Sequence, residues 1–269
     1  MVMQERVYQS DGQTLFAITE HPENRVLIAD SWLVKNGFVI ALEWHRERFF
    51  KSCFLQYGIE STVLMPLWKQ VCQLIPNRGL WFPRIEMAGT VNAPIFQLRV
   101  RVAPPIKESI RLMVCDIKDR RKAPRHKGPD MAWLSKLRHQ VLEKGGDEGI
   151  LTTNQGYLLE GLTTSFLWWE KQGNQDILYA VPDSNRILLG TMRRLILTIA
   201  HQKGIPIAYR LVHLKQLEGR EVWAVNALHG IRPVIDWDQS PFSPKENALT
   251  HERLAHWRMM VNQYAQPIS

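Results

Sequence analysis

Five cations and a histidine crowd into the eight residues Arg120–Lys127, RRKAPRHK, with Gly128-Pro129-Asp130 directly behind them. Three kinds of chemistry fit such a run. Clustered cations can grip phosphates, with an affinity that falls steeply as salt rises. A basic loop can also stand in solvent and do nothing more. Or one lysine, its proton pushed off by burial or by neighbouring cations, becomes a nucleophile near neutral pH. The run alone leaves all three open.

Other familiar chemistries are excluded by pattern. His251 and His256 stand five apart on an expected helix, so they do not share a face as metal ligands would. H-E-x-x-H, C-x-x-C, G-x-x-x-x-G-K-[ST], G-x-G-x-x-G and G-x-S-x-G are all absent, so no metal is expected. A net charge of +8 and a pI near 9.5 favour anionic partners without choosing among them. No nucleic-acid motif occurs and aromatic residues do not interleave the basic run, which argues against a nucleic-acid partner. Trp168-Trp169 and Trp223 are expected in packing rather than under bases. No apolar stretch is long enough for a bilayer, the first residues are polar, and Cys53, Cys72 and Cys115 are widely spaced. The expectation is a cytoplasmic protein without a membrane partner.

Four segments make sense together: Arg125-His126-Lys127-Gly128-Pro129-Asp130, Gly156-Tyr157-Leu158-Leu159-Glu160-Gly161-Leu162-Thr163-Thr164-Ser165, Leu188-Leu189-Gly190-Thr191-Met192-Arg193-Arg194, and Asn226-Ala227-Leu228-His229-Gly230-Ile231-Arg232-Pro233-Val234. Their order and spacing resemble the class IV aminotransferases, the fold-type IV pyridoxal-phosphate enzymes that include branched-chain and D-amino-acid transaminases and aminodeoxychorismate lyase. The match runs from Lys127 to Val234 and extends more weakly toward the N-terminus.

The resemblance implies pyridoxal 5'-phosphate as cofactor, with Lys127 forming the Schiff base. It places Glu160 against the pyridine nitrogen, where a carboxylate keeps the ring protonated. Glu160 lies among Leu158, Leu159 and Leu162, where an unpaired carboxylate would be costly to bury. Thr163 and Thr164 stand beside it as further cofactor contacts. A helix beginning at Thr191-Met192 would offer backbone N–H groups to the phosphate; the family's usual Gly-Ile-Thr-Arg is Gly-Thr-Met-Arg here, so one threonine hydroxyl is lost at Met192. Asn226 and Ala227 would sit in the same region, and Asn226-Ala227-Leu228 resembles the Asn-Ala-Leu of the lyases. Arg48, in His45-x-x-Arg48-Phe49, matches the family's phosphate-binding arginine. Arg101 and Arg232 are the candidates for a substrate carboxylate. Two pocket segments depart from the family: Lys-x-x-Asn-Tyr is Lys127-Gly128-Pro129-Asp130-Met131, and Tyr-Gly-Asp-Gly-Val-Phe-Glu shrinks to Lys35-Asn36-Gly37-Phe38-Val39-Ile40. The implied activity is transfer of an amino group from an amino acid to a 2-oxo acid, or pyruvate release from aminodeoxychorismate, in a homodimer.

The elements that must hold these residues follow from periodicity. Strands are expected over 25–30, 38–42, 80–87, 95–102 and 110–115, with Asn36-Gly37 a turn. Helices are expected over 44–58, 62–74, 131–145, 190–202 and 244–266, and further strands over 149–152, 157–159, 165–169, 177–181, 206–209, 221–228 and 232–236. The class is α+β. The resemblance divides it into a small α/β domain over 1–116, a linker over 117–126, and a larger cofactor-binding domain over 127–269 with a barrel-like sheet and flanking helices.

Overall fold

The computed structural model describes residues 5–19, 24–115, 119–238 and 248–268. The chain divides into two compact units, Met1–Ile106 with His126–Met131 and Tyr264–Ser269, and Lys107–Arg125 with Ala132–Gln263.

In the first unit the chain runs through strands β1 (Arg6–Ser10), β2 (Leu15–Ile18), β3 (Val26–Ser31), β4 (Val34–Lys35) and β5 (Phe38–Ile40). Helices α1 (Leu42–Tyr57) and α2 (Ser61–Leu74) follow, then β6 (Leu80–Trp81), β7 (Arg84–Thr90) and β8 (Ala93–Val100). An antiparallel sheet in the order β2-β1-β8-β7-β3 carries the helices, with Ile28, Met87 and Leu98 of the sheet and Phe49, Cys53, Leu64 and Trp68 of the helices in one core. The β1–β2 hairpin was not foreseen, because its strands are only five and four residues long and neither alternates cleanly between polar and apolar; the Asp11 carboxylate shapes its turn by accepting from the backbone of Gln13 and Thr14. The strand expected over 80–87 breaks at Phe82-Pro83, since proline has no N–H for a ladder. Asn36 and Gly37 both take positive φ, 50° and 80°, and make the tight turn from β4 to β5.

The second unit holds β9 (Ile110–Val114), α3 (Met131–Glu143), β10 (Glu148–Thr152), β11 (Leu158–Gly161), β12 (Ser165–Gln172), β13 (Gln175–Ala180), α4 (Thr191–Gln202), β14 (Ile207–Tyr209), β15 (Glu221–Asn226), β16 (Gly230–Asp238) and α5 (Ala248–Asn262). Its eight-stranded sheet curls as a half-barrel in the order β11-β10-β9-β16-β15-β12-β13-β14. Trp168 and Trp223 are fully buried and Trp169 nearly so; Trp169, Trp223 and Trp257 meet pairwise at 5.5–5.7 Å. These are core residues, as expected. No helix among the described residues is long and apolar enough to cross a membrane.

The last strand, β17 (Ala265–Pro267), returns to the first unit, pairs antiparallel with β5, and buries Ile268 in that core. The final helix therefore stops at Asn262 rather than running to 266; its expected first residues, 244–247, lie outside the described residues. The unit bounds also differ from a division at 117–126. Residues 126–131 belong with the N-terminal strands, because β3 is an edge strand and its Ala29 N–H donates to the Lys127 carbonyl at 2.7 Å.

Candidate active site

Lys127 is held through its backbone on both sides. His126 Nδ1 lies 3.1 Å from the Ser52 hydroxyl and its Nε2 3.0 Å from the Gln56 amide, both on α1. Gly128, at φ 139°, lets the chain pass so close to β3 that no side chain fits. The lysine is thus fixed beside the end of β3, next to Asp30.

Asp30 is fully buried and has its acceptor capacity filled. Its Oδ2 accepts from Arg48 Nε at 2.7 Å; its Oδ1 accepts from Arg48 Nη2 at 2.8 Å, from Ser31 N at 2.7 Å, and pairs with His45 Nδ1 at 2.7 Å. Burial works against the charge, yet Arg48 and His45 hold Asp30 well below the usual carboxylate range. For His45, burial outweighs Asp30 and keeps the ring neutral to lower pH than usual. Burial and then the Arg48 guanidinium bring Lys127 down to about 8, with Arg84 and Arg101 adding to this and Asp30 opposing it. A lysine so placed loses its proton near neutral pH, which is what a lysine nucleophile requires.

Arg84 on β7, Arg99 on β8 and Arg101 just past β8 form a further group of cations. Glu86, buried, pairs through one oxygen with Arg84 Nε and through the other with Arg99 Nε, each at 2.8 Å. Arg101 has no carboxylate within ion-pair distance among the described residues. Its Nε donates to the Phe82 carbonyl at 2.8 Å and its guanidinium stands 5.1 Å over the Phe82 ring. Burial, followed by Arg84, lowers its pKa. A desolvated guanidinium without an acid is a place for an anion.

In the second unit Glu160 is buried near the end of β11. It accepts from Arg121 Nη1 and from Leu188 N, the latter at 3.0 Å. Arg121 in turn pairs with Asp119 through Nε and Nη2, each at 3.0 Å, and Asp119 meets the exposed Arg186 at 3.2 Å. Burial pushes Glu160 up to about 7 despite the pull of Arg121.

Beyond Glu160 three of the sequence segments converge. Ser165 pairs with Val225, beside Asn226, and a Cβ on Gly190 would lie 2.9 Å from the Ser165 hydroxyl. Gly190 therefore lets the first turn of α4, Thr191 and Met192, close against the start of β12. Asn226 Oδ1 shapes the next turn by accepting from Leu228 N at 3.1 Å and His229 N at 2.8 Å, with Ala227 between them. Thr164 is buried, and its hydroxyl has no partner among the described residues. A helix N-terminus, a close-approach glycine and an orphaned buried hydroxyl together fit an anionic group such as a phosphate. Thr163 instead is exposed, with its hydroxyl donated to the buried Glu148. Arg232 is buried near Glu148 and Asp147; burial brings it down to about 10 against their pull.

Sequence reasoning passed over Asp30, Glu86 and Arg121. Asp30 and Glu86 left a trace, each being a carboxylate inside an apolar strand (VLIAD, IEMA). Arg121 left none, since it looks like every other cation of its run. Among the described residues no cluster of histidine, cysteine and carboxylates could hold a metal.

The first unit thus holds a desolvated lysine among cations, and the second a buried carboxylate and a cradle suited to an anion. The family model for class IV amino-transferases matches residues 27–237. The chain belongs to that family and is a pyridoxal-phosphate-dependent aminotransferase by class. It is 22% identical over 232 residues to the bifunctional aminodeoxychorismate lyase / D-amino acid transaminase of Mycobacterium tuberculosis, covering 75% of this chain and 78% of that one. Among solved structures it is similar to the branched-chain aminotransferase of the archaeon Thermoproteus uzoniensis with norvaline, at TM-score 0.77 and 16% identity over 98% of this chain and 99% of that one. A hypothetical aminotransferase from Mycobacterium tuberculosis, bound to α-ketoglutarate and PMP, matches at TM-score 0.75 and 16% identity over 95% and 98% of the two chains.

Proposed function

We propose that this aminotransferase binds its cofactor through Lys127 and moves an amino group between an amino acid and a 2-oxo acid. The observation that carries the reading is the lysine itself, desolvated and set among Arg48, Arg84 and Arg101, with its pKa brought down to about 8. When bound, pyridoxal phosphate supplies an electron sink for the breaking Cα–H bond. Lys127 Nζ takes the proton released at Cα and returns it during the half-reaction, acting as base and then acid. Glu160 holds a proton at the ring nitrogen. Arg48 in the first unit and, in the second, the N–H groups at the start of α4 with Thr164 and Asn226 would hold the phosphate. Arg101 takes a substrate carboxylate in its planar fork.

A second reading is supported by Asn226-Ala227-Leu228 and by the bifunctional relative: pyruvate release from aminodeoxychorismate at the same residues. The two separate in one assay. Pyruvate formed from aminodeoxychorismate without an acceptor acid supports the lyase; consumption of 2-oxoglutarate with an amino acid supports the transaminase. The assignment of Lys127 is tested by borohydride reduction of the yellow protein and peptide mapping. A label that persists elsewhere in Lys127→Ala would overturn it. The reading extends to a homodimer, measurable by analytical ultracentrifugation.

A further inference from the structure

We propose that Asp30 is the positioning residue of the lysine site. Its carboxylate sets the plane of the Arg48 guanidinium and the tautomer of His45, and its charge faces Lys127 from the adjacent strand. The inference rests on the functional reading only in taking Arg48 as a phosphate ligand.

The geometry carries it. Two bonds from one guanidinium edge to both oxygens of one carboxylate fix a plane, where a single bond would leave the side chain free to rotate. The backbone bond from Ser31 and the contact from His45 fix the carboxylate in turn. With His45 Nδ1 donating to Asp30, Nε2 is the ring's acceptor. Ala29, next to Asp30, anchors the Lys127 carbonyl, so one turn of edge strand registers both lysine and arginine. Charged groups acting on Lys127 are Arg48 and Asp30, Arg84 on β7 and Arg101 just past β8; His45 and Arg48 on α1 face Asp30. Asp30 is thus the acid that opposes these guanidinium groups at Lys127, and its removal strips the lysine of that opposing charge.

Asp30→Asn keeps the shape and removes the charge and one acceptor. Affinities for pyridoxal phosphate and for pyridoxal, which lacks the phosphate, are measured on apoprotein by equilibrium dialysis. The expected result is that the preference for the phosphorylated form falls at least about tenfold, the equivalent of ~1.4 kcal/mol. The pH midpoint of Lys127 acylation in the apoprotein, read by peptide mapping, is expected to move down. A purely structural role would lower both affinities together and leave the midpoint in place, and that outcome overturns the inference. If Asp30→Asn does not fold, His45→Gln, which leaves the Asp30–Arg48 fork intact, is measured by the same dialysis with the opposite expectation. The preference should then stay within about threefold of wild type; its collapse would remove Asp30 as the anchor of Arg48. A wild-type protein with no borohydride label at Lys127 overturns the functional reading. A labelled wild type with unchanged preference in the variant overturns only this inference.

Discussion

A Cβ placed on Gly128 would sit 2.7 Å from the Cα of Ile28 and 2.8 Å from the carbonyl oxygen of Leu27. Both obstacles are backbone of β3 and neither can swing away. Gly128 also holds φ at 139°, which L side chains rarely adopt. Gly128→Ala is therefore expected to cost at least about 2 kcal/mol, from backbone strain plus overpacking. It should also displace Lys127. Thermal unfolding of the apoprotein and the yield of borohydride label at Lys127 check the two effects.

Glu160 carries the clearest pH signature. Its folded pKa of about 7 lies above the ordinary glutamate value of 4.5, so between these values the folded state holds the extra proton and stability falls as pH rises. Glu160→Gln removes that term. The difference in unfolding free energy between wild type and variant is expected to slope between pH 4.5 and 7 and to flatten outside it. Turnover should fall by roughly 10²-fold or more, the scale for losing a preorganised electrostatic partner.

Lys127 gives a slope of opposite sign. Its pKa is depressed from 10.5 to about 8, so in that window the unfolded chain binds the extra proton and stability rises with pH. Lys127→Met should abolish this rise in apoprotein denaturant titrations. A wild-type curve with no excess slope over the variant from pH 8 to 10.5 would count against the desolvated lysine.

Arg101 and Arg99 are two residues apart yet should answer differently. Arg101 has no acid partner among the described residues, whereas Arg99 is committed to Glu86. Arg101→Met is expected to raise KM for the carboxylate substrate roughly 10–100-fold, the loss of a charged hydrogen-bonded pair. Arg99→Met should appear mainly as lost stability, because it strips a buried carboxylate of one partner. Steady-state kinetics beside denaturant titration separates them.

Much of the second unit was legible in the sequence. Its strands alternate or run apolar between turn residues, and Gly190 at the start of a helical period announced α4 where it lies. Lys127 and Glu160 were singled out through the resemblance of the segments that carry them. Their partners were not, because Asp30 lies 97 positions from Lys127 in the chain and Arg121 lies 39 from Glu160, separations that no local pattern reports. The β1–β2 hairpin was missed for a related reason: its pairing with β8 crosses most of the first unit. The break at Pro83 was visible but outweighed by apolar neighbours. The return of β17 left no local signal, since a three-residue strand depends on the partner it finds.

That return has a bearing on synthesis. The unit that holds Lys127 draws on residues before 107, on residues 126–131, and on residues beyond 263. A nascent chain has to complete the whole of the second unit before it can add β17 against β5 and seat Ile268 in the first core. Until then the lysine's own unit lacks an edge strand and a core residue. The order of translation thereby delays the finished first unit until every residue of the second unit has been made.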